Sequence, residues 1–242
     1  MTIRTVTVDL WGTLVFDGPG SDDRYKRRRM AEFERILAAE GIPVGAGALR
    51  RAYDESGVFL AGVWRTNRDV PAPDHVKAIL DAVDARLWDR VSPAVRDALL
   101  SAYSQPALLV PPTVDPGALG ALQALVARGY VLAVVSNTMR TPGAALRKLL
   151  ERFRLLAWFR HATFSDEVGV RKPDPRIFHV ALEAVGGEPA TSVHVGDDAV
   201  LDVEGALGAG LRAVQVTRAP RTPGRHAPDA VIKSLAELPD AI

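Results

Sequence analysis

A single β-rich run, Thr5-Val6-Thr7-Val8-Asp9-Leu10-Trp11, opens the chain, and Gly12-Thr13 ends it with a residue able to turn sharply. The next strong strand signal comes only at Val131. In between, from about Ser21 to Gln105, apolar residues recur at helical spacing: Tyr25, Met30, Phe33, Ile36 and Leu37, then Val76, Ile79, Leu80, Val83 and Leu87. Gly41-Ile42-Pro43 stops the first helix, Pro71-Ala72-Pro73 separates later ones, and Asp74 is the expected N-cap after that break. Past Pro111-Pro112 the pattern becomes helix, strand, helix, strand, with a helix from about Pro116 to Arg128 and a strand over Val131–Ser136. Further strands are expected at Ala162–Phe164, Ser192–Val195, Arg212–Val216 and near Ala230–Ile232. Strands alternating with helices make a parallel sheet covered on both faces. The fold class is therefore α/β: a doubly wound parallel core of residues 1–16 and 112–242, interrupted after its first strand by an all-helical insertion of residues 17–111.

Composition removes several function classes. Thirty basic residues against 29 acidic ones leave a net charge of +1, without the strong field of a nucleic-acid binder. No nucleic acid is expected as a partner. The absence of cysteine excludes disulfides, cysteine-zinc sites, iron–sulfur clusters and thiol nucleophiles. Met1–Leu10 has neither the basic start nor the apolar run of a signal peptide, and the longest apolar stretches fall short of the roughly 20 residues of a membrane helix. The expectation is a soluble cytoplasmic protein with no membrane partner; oligomeric state is not legible.

In doubly wound sheets ligands sit beyond the carboxyl ends of the strands. Four such ends carry unusual residues: Asp9, Ser136-Asn137-Thr138, Arg171-Lys172-Pro173-Asp174, and Gly196-Asp197-Asp198 with Asp202 behind. Each alone has an ordinary explanation, as a turn, a cap or a solvated charge. Together they suit a phosphoryl group. Asp9 and Asp197 offer the hard oxygen ligands that magnesium takes. Lys172 would neutralise phosphoryl oxygens while Ser136 and backbone amides near Asn137 hydrogen-bond them. Asp9 can then attack phosphorus and form an aspartyl-phosphate. Gly12 lets the backbone pass close to the bound group, and Pro173 and Pro175 stiffen the loop that aims Lys172.

These four motifs, Asp9-Leu10-Trp11-Gly12-Thr13-Leu14, Val135-Ser136-Asn137-Thr138, Arg171-Lys172-Pro173-Asp174-Pro175 and Val195-Gly196-Asp197-Asp198 through Asp202, stand in the order found in the haloacid dehalogenase superfamily, which the sequence resembles over nearly its whole length. The resemblance implies a Rossmann-like core with a helical cap of the first type and a small phosphorylated metabolite as substrate. It assigns Asp9 as nucleophile, Ser136 as phosphate ligand, Lys172 as the steadying cation, and Asp9, the Trp11 backbone carbonyl and Asp197 as magnesium ligands. Asp202 would orient Lys172 or metal-bound water, with Asp198 in the same shell.

One position departs from that pattern. The family's phosphatases carry a second Asp two places after the nucleophile, which protonates the leaving group and then activates water; here the place holds Trp11. Indole nitrogen only donates, so general acid–base catalysis worth about 100- to 10,000-fold is lost. Three outcomes remain open. The leaving group departs unaided; a cap residue such as His75, Asp22 or Asp23 supplies the proton; or the chain has left phosphate chemistry. Family dehalogenases carry an aromatic Tyr at this place and use Asp without metal, whereas the Asp197-Asp198-Asp202 cluster favours magnesium. A catalytically weakened binding or regulatory protein is a third class.

Other residues have simpler readings. His194 is expected as a satisfied core histidine, and Lys26-Arg27-Arg28-Arg29 as a solvated helical face. Trp64, Trp88, Phe59 and Tyr53 have the spacing of a helical core. The segment from Arg218 to Pro228 reads as a mobile surface loop.

Overall fold

The computed structural model describes residues 2–218 and 224–242. Its strands in chain order are β1 (Thr5–Val8), β2 (Val15–Phe16), β3 (Thr113–Val114), β4 (Val131–Ser136), β5 (His161–Phe164), β6 (Ser192–Gly196), β7 (Arg212–Val216) and β8 (Ala230–Ile232). Six of them form one sheet in the order β5-β4-β1-β6-β7-β8, and every neighbouring pair is parallel. The expected α/β sheet is present, and all five core-strand expectations after β1 coincide with observed strands.

β-Branched residues occupy every position of β1, and all four are buried. Alternation along the strands feeds two apolar layers. Val6, Val8, Leu132 and Val134 pack with helices Ala118–Ala127 and Gly143–Arg152, whereas Val135 and Ala213 pack with Ile177 and Phe178 of helix Pro175–Val185 on the other face. β1 lies at the centre, pairing Thr5 with both Val131 and Ser192. Chain order reverses there, which opens a crevice beyond the ends of β1, β4 and β6.

The insertion is helical as expected: α1 (Ser21–Ala39), α2 (Ala46–Trp64), α3 (Ala72–Val83), α4 (Leu87–Arg90) and α5 (Pro93–Ser104). It has its own apolar cluster, in which Phe33, Leu37, Leu49, Ile79, Leu99 and Tyr103 are buried. β2 and β3 pair antiparallel, so the chain leaves the core and returns to it along one short ribbon. Asp74 is not the N-cap of α3. Pro71 takes that place, because Pro73 fits the first turn, where its missing N–H has no helical partner to lose. Among the described residues no helix is long and apolar enough to cross a membrane.

A third connection ties cap to core. Asp69, in the α2–α3 loop, is fully buried and its Oδ2 accepts from Arg171 Nη1 at 2.5 Å, Ser165 Oγ at 2.5 Å and Thr138 Oγ1 at 3.3 Å. Its Oδ1 accepts from Trp64 Nε1 and Val70 N, both at 2.9 Å. Arg171 also donates to Thr138 O and stacks 4.4 Å from the Trp64 ring centroid. Nothing in the helical periodicity marks Asp69, because it lies between helices and its partners are about 70 to 100 residues away in the chain.

Candidate active site

Asp9 follows directly on β1, and its amide still donates to Val195 O at 2.9 Å, so the sheet itself fixes this residue. The chain then coils tightly: Leu14 N and Val15 N both donate to Leu10 O at 2.9 Å, and Gly12 N donates to Val15 O at 2.8 Å. Gly12 adopts φ +83°, a region that side chains disfavour. A Cβ there would stand 2.5 Å from Asp197 Oδ2 and 2.7 Å from Oδ1. The glycine therefore makes room for the Asp197 carboxylate as well as for a sharp turn. Gly196 does the same for Asp202, whose Cγ would overlap a Cβ at that position.

Lys172 Nζ donates to Asp9 Oδ1 and to Asp202 Oδ1, each at 2.5 Å, and all three side chains are buried. Asp202 Oδ1 also lies 3.1 Å from His194 Nε2, and its Oδ2 accepts from Asp198 N at 2.9 Å. A carboxylate only accepts, so Nε2 carries the proton; Nδ1 then accepts from Thr7 Oγ1 at 2.8 Å, and burial, which pushes the imidazole down, keeps it neutral. His194 is thus a buried core residue, as expected, that also braces the site. Burial opposes the charged forms of Asp202 and Lys172, but their mutual attraction prevails: Asp202 is held below the usual carboxylate range and Lys172 above the usual ammonium range. Asp9 moves the other way. Burial pushes it up to about 7, with Lys172 opposing and Asp202 and Asp197 adding to the rise.

The fold brings Asp9, Asp197 and Asp202 together, with one oxygen of each lying within 4.8 Å of the others. Asn137 clamps Lys172: its Oδ1 accepts from Lys172 N at 2.8 Å and its Nδ2 donates to Lys172 O at 3.0 Å. Its side chain is thereby committed to the lysine loop. Ser136 is buried at the end of β4, its Oγ 3.4 Å from Asn137 O. Asp198 Oδ1 caps the following helical turn, accepting from Val200 N and Leu201 N at 2.8 Å.

Trp11 and Gly12 form part of the floor of a cavity of about 640 Å³ between the ribbon and the cap. Asp22, Asp23, Tyr53 and Trp64 line it, whereas Phe59 and Trp88 do not. His75 is also absent from its wall. That imidazole is locked between Tyr103 Oη at 2.8 Å and Val70 O at 3.2 Å, and burial pushes it down to about 4, so it is not placed to give a proton at Asp9. The basic run on α1 splits. Arg27 and Arg28 are exposed, but Arg29 is buried, donating to Tyr103 O, Tyr53 Oη and, across to the core, Arg140 O. Residues 219–223 of the expected surface loop lie outside the described residues. Arg218 at its start is pinned, donating to Gly12 O at 2.9 Å and Asp115 Oδ2 at 2.5 Å.

Residues 3–210 match the family described as haloacid dehalogenase-like hydrolase. Over 213 residues the chain is 32% identical to a phosphoglycolate phosphatase of Rhodospirillum rubrum, covering 87% of this chain and 78% of that one. Over 112 residues it is 40% identical to a phosphoserine phosphatase of Thermus thermophilus, covering 46% of this chain and 44% of that one; this match spans less than half of the relative's length. The fold is that of a 2-haloacid dehalogenase from Pseudomonas syringae pv. Tomato, with a TM-score of 0.68 at 22% identity over 99% of this chain and 98% of the other.

Proposed function

This chain belongs to the haloacid dehalogenase-like hydrolases, and from that premise we propose that it is a magnesium-dependent phosphatase of a small phosphorylated metabolite, acting through an aspartyl-phosphate at Asp9. The same proposal keeps residues 1–16 and 112–242 as catalytic core and 17–111 as cap, with neither nucleic acid nor membrane as partner. The observation that carries it is the buried all-oxygen cluster of Asp9, Asp197 and Asp202 at the sheet's switch point. Such donors suit a hard cation. Even bonded to Lys172, Asp9 is pushed up to about 7 by burial and by the neighbouring carboxylates of Asp202 and Asp197, and a further positive charge beside it would favour its ionised, nucleophilic form. Asp9, the Trp11 carbonyl and Asp197 would hold magnesium, which when bound supplies charge neutralisation for the phosphoryl oxygens.

Asp9 Oδ attacks phosphorus, and the bond to the leaving oxygen breaks. The Ser136 hydroxyl and the backbone amides near Asn137 donate to phosphoryl oxygens, while the Lys172 ammonium balances their charge. Asp202, His194 and the Asn137 side chain hold that ammonium in place. Trp11 gives no proton to the leaving oxygen, so departure of that oxygen, the step that phosphorylates Asp9, limits turnover. The test is phosphate release from a panel of phosphorylated metabolites, with magnesium and with chelator, using Asp9→Asn as the blank. Magnesium-dependent release absent from the variant supports the proposal. Trp11 favours one rival, carbon–heteroatom hydrolysis without metal; halide release that persists under chelation would put it in the phosphatase's place.

A further inference from the structure

Five aromatic side chains line the cavity above Gly12: Trp11 and Phe16 from the core side, Tyr25, Tyr53 and Trp64 from the cap. Its volume of about 640 Å³ lies within the roughly 300–1,000 Å³ of pockets that enclose drug-sized ligands, far more than a two-carbon acid fills. The three cations on its wall are each engaged. Lys26 pairs with Asp54 at 2.5 Å. Arg29 donates to Tyr103 O at 2.8 Å, Tyr53 Oη at 3.2 Å and Arg140 O at 2.6 Å. Arg140 donates to Tyr53 O at 3.0 Å and Ser56 Oγ at 3.1 Å, with its guanidinium 3.8 Å from the Tyr53 ring centroid. Asp17, Asp22 and Asp23 add negative charge to the same wall. A carboxylate on the organic half of a substrate would meet these acids and cations already bound elsewhere. A guanidinium already covers one face of Tyr53, Trp64 and Phe16, from Arg140, Arg171 and Arg218 in turn, and a flat uncharged ring would meet the aromatic surface that these leave.

Resting on the phosphatase reading above, we infer that the substrate is a phosphate monoester of an uncharged aromatic alcohol, with the phosphate on the ring oxygen. The ring belongs in the aromatic cavity, and the ring oxygen answers the missing acid at Trp11. A phenolic oxygen, with a pKa of about 10 like that of tyrosine, leaves without a proton far more readily than an alkoxide. Asp9 Oδ forms its bond to phosphorus as the phosphorus–oxygen bond to the ring breaks. The electron pair leaves with the aryl oxygen, and the aryloxide takes a proton from solvent. Water then attacks phosphorus, the Asp9–phosphorus bond breaks with its electrons returning to the carboxylate, and phosphate departs while solvent takes the water's proton.

The test compares phenyl phosphate, benzyl phosphate and phosphoglycolate in steady-state assays with magnesium, with Asp9→Asn as blank. Phenyl phosphate should exceed phosphoglycolate in kcat/KM by about 100-fold or more, and benzyl phosphate should keep a similar KM with a kcat lower by about the same factor. Phosphoglycolate equal to or above phenyl phosphate would overturn the inference. Asp23→Arg, an exposed change on the cavity wall, should raise the phosphoglycolate to phenyl phosphate ratio by about tenfold; an unchanged ratio counts against the electrostatic half. A calorimetric arm with non-hydrolysable phenylphosphonate and phosphonoacetate separates the inference from the reading beneath it. If no ester is hydrolysed but phenylphosphonate binds about tenfold more tightly, the phosphatase reading falls and the aromatic pocket stands. If phosphonoacetate binds as tightly, the pocket assignment falls whatever the activity.

Discussion

Replacing Asp69 with alanine removes the acceptor of five hydrogen bonds, three of which, from Thr138, Ser165 and Arg171, join core to cap. The largest loss is electrostatic. Arg171 and Asp69 form a pair whose side chains are 7% and 0% exposed, so the variant leaves a guanidinium buried opposite a void. Breaking such a pair from one side costs about 3–5 kcal/mol, a large share of the roughly 5–15 kcal/mol that holds a protein of this kind folded. At about 2–4 °C per kcal/mol for a chain of this size, the melting midpoint should drop by roughly 6–20 °C. Asp69→Asn, which keeps an acceptor for Trp64 and Val70 but not the charge, should lose most of the same amount. Lys26→Ala, which breaks a half-exposed pair, should cost no more than about 1 kcal/mol. Urea unfolding followed by circular dichroism measures all three. Because Arg171 precedes Lys172 and Thr138 follows Asn137, activity per folded molecule should fall in both Asp69 variants. A loss below about 1 kcal/mol in Asp69→Ala would show that the cap is held by its apolar contacts and that the latch reasoning is wrong.

Three further outcomes are expected. His75 is neutral in the fold down to about 4 but protonates near 6.5 when unfolded, so the unfolded state binds more protons between those values. Its contribution is therefore intact above pH 6.5 and lost as pH falls toward 4, by about 3 kcal/mol; the difference in urea stability between the wild type and His75→Gln should carry that slope, and a pH-independent difference would refute it. Trp11→Asp restores a proton donor and should raise turnover of phosphoglycolate relative to phenyl phosphate by about 100-fold, read as a ratio of kcat values; equal effects on both would remove the leaving-group argument. Gly12→Ala combines left-handed strain with overlap on Asp197 and should cost about 2–5 kcal/mol and weaken magnesium binding, measured by urea unfolding and by calorimetry. Unchanged magnesium affinity would mean that the Asp197 carboxylate is not held by that contact.

The sequence by itself determined the sheet, the helical insertion and the strand ends where polar residues collect. Period-two and helical-period patterns are local, and the order of motifs along the chain survives without coordinates. Asp9 and Asp197 were legible because each follows a recognisable strand, and Lys172 and Asp202 because the order of motifs marks them. Only the tertiary structure decided how they divide the work. Asn137 clamps the lysine loop and Asp198 caps a turn, because hydrogen bonds to groups across the fold fix which way each side chain faces. Arg29 looks like its exposed neighbours Arg27 and Arg28 until the cap closes on the core and buries one of three successive directions around α1. The latch at Asp69 and the aromatic cavity are wholly tertiary. Their members come from separate elements whose approach no spacing along the chain encodes, and burial alone turns a loop aspartate into the tie between two apolar clusters.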